Sequence, residues 1–266
     1  MASAQKNTFT WEFNIEILRM IAYINLVLMI LVGTIITTLF IDDPKPENTV
    51  IYEIFGFNHI CNMIDHQPSR WICALLVLFF IVPMAAFVLL SYFRTRDAYE
   101  DGRVPKYLQT YNRMITPFVF FSVCYTYMWF VNPPLTKEDF LGHYLPYVAL
   151  QLAFGLLAVQ EVSYLIHHNV LPFGFNATWA KAYLVLLLVT TAVAQLAVFS
   201  LLLGYPILDS KHNASDRAIF QVLMYFYSFL AIIIPIFTAA RNRRNGQNNV
   251  ITFSSPKPVA VDSSGG

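Results

Sequence analysis

Apolar residues fill six long blocks of this chain, at 17–40, 71–93, 114–132, 145–166, 180–203 and 218–240, and none has a Lys or Arg at its centre. At 1.5 Å of rise per residue, each block written as a helix covers the ~30 Å hydrocarbon slab of a bilayer. Short polar stretches separate the blocks. The pattern predicts an all-α polytopic membrane protein: a bundle of six transmembrane helices over 17–240, an N-terminus at 1–16 and a C-terminal tail at 241–266. After Arg241-Asn242-Arg243-Arg244 the tail is rich in Asn, Ser, Pro and Gly, which predicts a disordered segment. The first block follows Glu12, Glu16 and Arg19 and lacks a small-x-small cleavage site, so it is expected to stay as a signal anchor.

Composition agrees, with 57% hydrophobic and only 12% charged residues where a soluble domain carries about a quarter charged. Charge then orients the bundle. Of the 17 Lys and Arg, only Lys45, Arg70, Lys137, Lys211 and Arg217 fall on one side, which places both termini in the cytosol. The bases cluster at span ends and the net charge is +1, so no nucleic-acid partner is implied. Trp11, Trp71, Trp129 and Trp179 stand near span ends, where an amphipathic indole prefers to sit. Of two sequons, Asn176-Ala177-Thr178 falls on the cytosolic side, leaving Asn213 as the glycosylation candidate. Cys61, Cys73 and Cys124 make no disulfide framework, and a Cys61–Cys73 bridge is the one pairing weighed.

Candidate chemistry inside the membrane starts from Glu161, the acid placed well inside the fourth block. A carboxyl there must be protonated, paired or turned to a wet cavity. It is either a proton-linked or substrate-contacting group, or an acid near the cytosolic interface bonded to Gln195 or to a base such as Arg113. Gln151, Gly155 and Ala158 share its stripe, with His168 two turns beyond. Asn25, Gln195 and Gln221 are further polar groups that need partners in lipid. Pro83 and Pro235 sit in mid-span and Pro117 falls in the first turn of the third block; each frees a carbonyl.

The first outer loop gathers His59, Cys61, Asp65 and His66, but the spacing matches no zinc pattern and a structural loop is the preferred reading. No metal and no cofactor is implied. No G-x-S-x-G, H-E-x-x-H or P-loop occurs.

Several short motifs lie in register along the chain: Ile64-Asp65 followed by Pro68-Ser69-Arg70-Trp71, then Glu138-Asp139-Phe140 with His143, then Ala218-Ile219-Phe220 with Leu223 and Tyr225. In this order the chain resembles a six-span family containing the Golgi factors for GPI-anchor lipid remodelling and the damage-regulated autophagy modulators. A His-x-x-Pro-Arg element associated with the remodelling branch reads Phe80-Ile81-Val82-Pro83-Met84 here, keeping only the proline. The resemblance implies a helical bundle in the Golgi, lysosome or plasma membrane acting on lipid composition or trafficking, with His143 and Asp65 as the outer-side residues of interest. His143, His167-His168 and Tyr205-Pro206 are also similar to six-span intramembrane hydrolases of fatty-acid esters. The Thr nucleophile of those enzymes is replaced by Trp71-Ile72-Cys73.

The expected function is a multi-pass protein of the endomembrane system or cell surface that contacts membrane lipids and is accessory to lipid remodelling or trafficking. The alternatives are an intramembrane lipid hydrolase or acyl-transfer enzyme built on His143 and Asp65, and a proton-coupled small-solute carrier built on Glu161.

Overall fold

The structure is a computed structural model that describes residues 8–42, 49–57, 60–134, 136–167, 177–245 and 250–256. Among these, six helical stretches are long and apolar enough to cross a membrane: Glu16–Phe40, Ser69–Glu100, Lys106–Val131, Lys137–His167, Ala177–Leu202 and Ala214–Arg244. In chain order the elements are β1 (Thr8–Asn14), α1 (Glu16–Phe40), α2 (Val50–Phe55), α3 (Ile60–Asp65), α4 (Ser69–Leu76), α5 (Leu78–Glu100), α6 (Lys106–Tyr125) and α7 (Tyr127–Val131). They continue with α8 (Lys137–His167), α9 (Ala177–Leu202), α10 (Ala214–Ser228), a π turn (Phe229–Ile233), α11 (Ile234–Asn245) and β2 (Val250–Pro256).

Four of the six apolar blocks fall inside these stretches and the other two, ending at 132 and 203, overrun theirs by one residue; at their starts the helices outrun the blocks where polar turns extend them. The third begins at Lys106 rather than 114, so Pro117 lies in the helix interior and not in its first turn. The reason is physical: hydropathy marks the apolar part of a helix, while the backbone hydrogen bonds of α6 continue through polar positions such as Tyr107, Gln109 and Asn112.

Packing runs round the bundle in chain order. α1 lies against α4 and α5, α5 against α6, α6 against α8, α8 against α9 and α9 against α10, and α11 closes the ring on α1. Outward-facing Leu28, Leu31, Ile35, Phe79, Val82 and Leu196 are exposed to the surroundings as a lipid-facing surface should be. The core between the helices is built on Phe80, Met84 and Phe87 of α5, Leu26 and Met29 of α1, and Leu187 and Ala194 of α9.

Three features fix the end where α2 and α3 lie. Gly33 of α1 lets the chain approach closely: a Cβ there would stand 2.6 Å from Ile64 and 2.7 Å from Cys73. Ser69 fills the same contact by donating to the Gly33 carbonyl at 2.9 Å. Gly56, at φ +73°, ends α2 in the left-handed region, where a Cβ would meet the Lys211 backbone at 2.6 Å. Phe55 is then held by Phe57, Phe140 and Phe220 at ring separations of 5.8–5.9 Å, with Ser210 donating to its carbonyl. α8 starts on a capping box in which the backbone and hydroxyl of Thr136 both donate to Asp139, and Asp139 N–H returns to the hydroxyl.

The opposite end carries two strands. β1 and β2 pair antiparallel, with Thr10 opposite Ser254 and Trp11 opposite Phe253. This departs from the disordered tail that composition predicts: Arg241–Asn245 continue α11, and the Val250-Ile251-Thr252-Phe253 run, β-branched and aromatic, finds a matching partner in Thr8–Asn14. Cys73 is a free buried thiol that contacts the Met29 carbonyl, so the Cys61–Cys73 bridge is not formed.

Candidate functional site

At the end that holds β1 and β2, four charged side chains from three helices close a ring. Glu16 and Arg19 stand in the first turn of α1 and pair with each other. Arg94 of α5 reaches Glu161 of α8 at 2.6 Å and Glu16 at 3.7 Å, and Arg19 reaches Glu161 at 3.6 Å. None of the four is more than 5% exposed. Ser91 donates to Glu161 Oε1 at 2.9 Å and accepts from Arg94 at 3.2 Å. Arg94 also lies 4.0 Å over the Tyr164 ring, and Arg19 lies 5.4 Å from the centre of Phe87. Two guanidiniums and two carboxylates alternate, so the ring is neutral as a whole. That is the arrangement in which ions in a low-dielectric interior compensate one another.

Glu161 is therefore partnered by Ser91, Arg94 and Arg19, and not by Gln195 or Arg113. Gln195 instead accepts from Tyr144 at 3.1 Å. Gln151 is buried and its side-chain amide makes no hydrogen bond among the described residues. His168 lies outside the described residues.

Arg19 and Glu161 of the ring also line a cavity of about 300 Å³ between α1, α8, α9 and α11. Arg19 and Glu161 are the charged residues in its wall; apart from Thr238 the remainder is apolar or aromatic, including Tyr23, Phe154, Leu187 and Leu230. Of the Glu161 oxygens, Oε1 takes the bonds from Ser91 and Arg94 while Oε2 accepts none, and Arg19 Nε donates none.

Two prolines and two polar groups explain one another. Pro83 has no N–H for the carbonyl four residues back, Phe79, and Asn25 donates its amide to that carbonyl at 3.1 Å. In the π turn before Pro235, Ile234 N–H bonds to Phe229, five residues back. The next such bond would join Pro235 to Leu230, and Tyr183 hydroxyl fills that place at 3.0 Å.

A second constellation stands at the opposite end. His143, in the second turn of α8, is buried; its Nε2 accepts from Trp129 Nε1 at 2.9 Å, and its Nδ1–H donates to the Asn132 carbonyl at 2.8 Å. These partners define the neutral Nδ1–H tautomer. Asp65 Oδ2 lies 3.5 Å from the same Nε2. Burial pushes the Asp65 carboxyl well above the usual carboxylate range, against the lowering effect of Arg70. Asp65 Oδ2 comes close to His143 without bonding it, since the one acceptor position of Nε2 is taken by Trp129. A void of about 20 Å³, the room one water needs, lies beside His143 between Phe140, Tyr144 and Phe220. Trp129 is thus a buried hydrogen-bond donor and not an interfacial anchor, unlike the exposed Trp71 and Trp179.

The loop around His59–His66 is partly outside the described residues: His59 is not described, nor are the side chains of Ile60, Cys61 and Asn62. Burial lowers the His66 imidazole below its ordinary value. Among the described residues no group of three His, Cys, Asp or Glu could hold a metal ion. Asn213 is exposed and caps α10, accepting from Ser215 N–H at 2.9 Å.

Sequence singled out Glu161 by its place in an apolar block, and His143 and Asp65 through a resemblance that did not bring the two together. It missed Glu16, Arg19, Arg94 and Trp129. The signal available for the ring was charge count alone: one buried acid requires a buried base, and Arg19 and Arg94 are the bases at the same depth.

Comparison with protein-family models, with curated proteins and with solved structures finds no match to this chain.

Proposed function

We propose that this chain is a lipid-binding accessory protein of the Golgi, lysosomal or plasma membrane, with both termini cytosolic and a role in lipid remodelling or membrane trafficking. The observation that carries the reading is the 300 Å³ largely apolar cavity of α1, α8, α9 and α11, set among helices long and apolar enough to cross a membrane, with Arg19 and Glu161 in its wall. A cavity of that make-up, with few polar groups in its wall, suits an amphiphile that enters from the bilayer. The test is the distribution of a tagged copy, combined with lipid profiles and surface levels of GPI-anchored proteins after its removal. Altered lipid or anchored-protein profiles are the expected result, and unchanged profiles would overturn the reading.

A second reading, a lipid hydrolase or acyl-transfer enzyme, draws support from the approach of Asp65 to His143. It requires loss of function in His143→Ala and Asp65→Ala while Leu187→Phe, which narrows the cavity, has no effect. The lipid-binding reading requires the reverse. The carrier reading draws less support, because Glu161 is held by two arginines and a serine.

A further inference from the structure

Three sides of the cavity between α1, α8, α9 and α11 are closed. α1 packs against α11, and α8 against α9. α1 and α8 are bridged by the Arg19–Glu161 pair and by the Tyr23 and Phe154 rings, whose centres lie 5.4 Å apart. The fourth side, between α9 and α11, is different. α9 lies along α10 and touches the π turn, where the Tyr183 hydroxyl donates to the Leu230 carbonyl at 3.0 Å. Past that strut, at the π turn and Pro235 where a helix can bend, α11 packs along α1 instead of α9. Wall residues on both edges of this seam are accessible: Trp179 and Leu186 of α9 are exposed, and Ile234, Pro235 and Thr238 of α11 are half-buried. For helices long and apolar enough to cross a membrane, the medium outside such a seam is bilayer hydrocarbon.

The interior suits a chain and not a head. Arg19 and Glu161 are buried and paired within the neutral ring, so they offer an occupant no free charge. The hydroxyls of Tyr183 and Thr238 donate to the Leu230 and Pro235 carbonyls, and Tyr23 carries the third hydroxyl of the wall. Phe154, Leu157, Leu187 and Ala231 are apolar. A volume of about 300 Å³ lies at the foot of the ligand-pocket range of roughly 300–1,000 Å³, which suits a single chain.

The mouth of the seam, by contrast, is basic. α9 carries exposed Lys181 between the wall residues Ala180 and Ala182, and α11 carries Arg241, Arg243 and Arg244 just beyond the wall residue Thr238. Neither α9 nor α11 contains an Asp or Glu. Bases gathered between helix ends at a membrane surface attract anionic lipid heads.

We infer that one acyl chain of an anionic phospholipid, drawn from the leaflet on the β1–β2 side, enters between α9 and α11 and lies in the cavity, its phosphate held at the mouth by Lys181 and the arginines of α11. This rests on the lipid-binding reading above and names the lipid class and its route.

The test uses the full chain in nanodiscs and two probes that share one photoactivatable, alkyne-tagged acyl chain, a phosphatidylglycerol and a phosphatidylcholine. The phosphatidylglycerol is expected to label wall peptides of α8 and α11 more than fivefold over the phosphatidylcholine. Lys181→Gln should cut that advantage about fivefold, the weight of one base at a lipid surface. Lys106→Gln removes an exposed base at the same end but outside the cavity wall, and should leave the advantage intact. Ala182→Trp and Thr238→Trp, on facing edges of the seam, should each block wall labelling by both probes, and either one decides the matter if the other misfolds. Equal wall labelling by the two probes, or the same loss in Lys106→Gln as in Lys181→Gln, would overturn the anionic head and leave a lipid cavity standing. Wall labelling that survives both tryptophans would overturn entry between α9 and α11. Label confined to outward-facing positions such as Leu31 and Phe79 would overturn occupancy of the cavity, and the lipid-binding reading with it.

Discussion

The buried ring of Glu16, Arg19, Arg94 and Glu161 is where single residues matter most, because each of its charges is tolerated only through the others. Removing one partner leaves an uncompensated ion, which costs about 3–5 kcal/mol in protein interiors. Arg94→Met and Glu161→Met are each expected to lose stability of that order in detergent unfolding, whereas the double variant should lose clearly less. A double variant as unstable as the sum of the singles would show that the charges act independently. Asp65 behaves in the opposite electrostatic sense, facing His143 of α8 and Arg70 of α4. Its folded-state affinity for a proton is raised, so the folded chain holds a proton that the unfolded chain releases above the ordinary carboxylate range. Stability from this group is full at acid pH and falls as pH rises through the raised value. Thermal midpoints of Asp65→Asn should therefore decline less with rising pH than those of the parent chain, and equal slopes would refute the shift. Glu161 was legible in the sequence because an acid stands out in an apolar block. Arg19 and Arg94 were not, because a base near a span end already has a sufficient reason to be there in the orienting rule for loops.

At the level of elements, the kinks and their polar partners are coupled. Asn25 of α1 and Pro83 of α5 are each visible in the sequence as oddities, but their relation is not. It depends on which carbonyl the proline frees, Phe79, and on which neighbouring helix brings an amide to it from 54 positions away in sequence. The coupling predicts a specific outcome. Asn25→Ala should cost about 0.6 kcal/mol, up to ~1.7, the measured range for hydrogen bonds between membrane helices. In a Pro83→Ala background, where the helix bonds its own carbonyl, the same change should cost close to nothing. Equal costs in both backgrounds would break the proposed link. Tyr183→Phe with Pro235→Ala is the parallel case for the π turn. Close approach sets another element contact: Gly33→Val should destabilise the joint between α1, α3 and α4, since a Cβ there already meets Ile64 and Cys73. Helix ends were read short from hydropathy, as α6 and α8 show, for the same reason that their polar first turns do not lie in lipid. The β1–β2 ribbon was missed because its strands lie more than two hundred residues apart and neither has a partner nearby in sequence.

Across the whole molecule the two polar constellations sit at opposite ends of one bundle, and this polarity ties function to orientation. α1 leaves the end that carries the ribbon, α8 runs back toward it, and so the ring of Glu16 and Glu161 shares that end with β1 and β2, while Asp65, His143 and α2 lie at the other. If the basic side is cytosolic, the cavity faces the cytosolic leaflet and the Asp65–His143 pair faces outward. A lipid held in the cavity would then be drawn from the cytosolic leaflet, and any chemistry at His143 would act on the other. Single cysteines decide this. In sealed microsomes, Ser254→Cys in β2 should gain reaction with a membrane-impermeant maleimide over the parent chain, and Ser215→Cys at the start of α10 should gain it only after permeabilisation. The reverse pattern would invert the bundle and exchange the leaflets served by the two sites. Reaction of both before permeabilisation would contradict the crossing of the sixth helical stretch, because Ser215 stands at the first turn of Ala214–Arg244 and Ser254 lies beyond its other end.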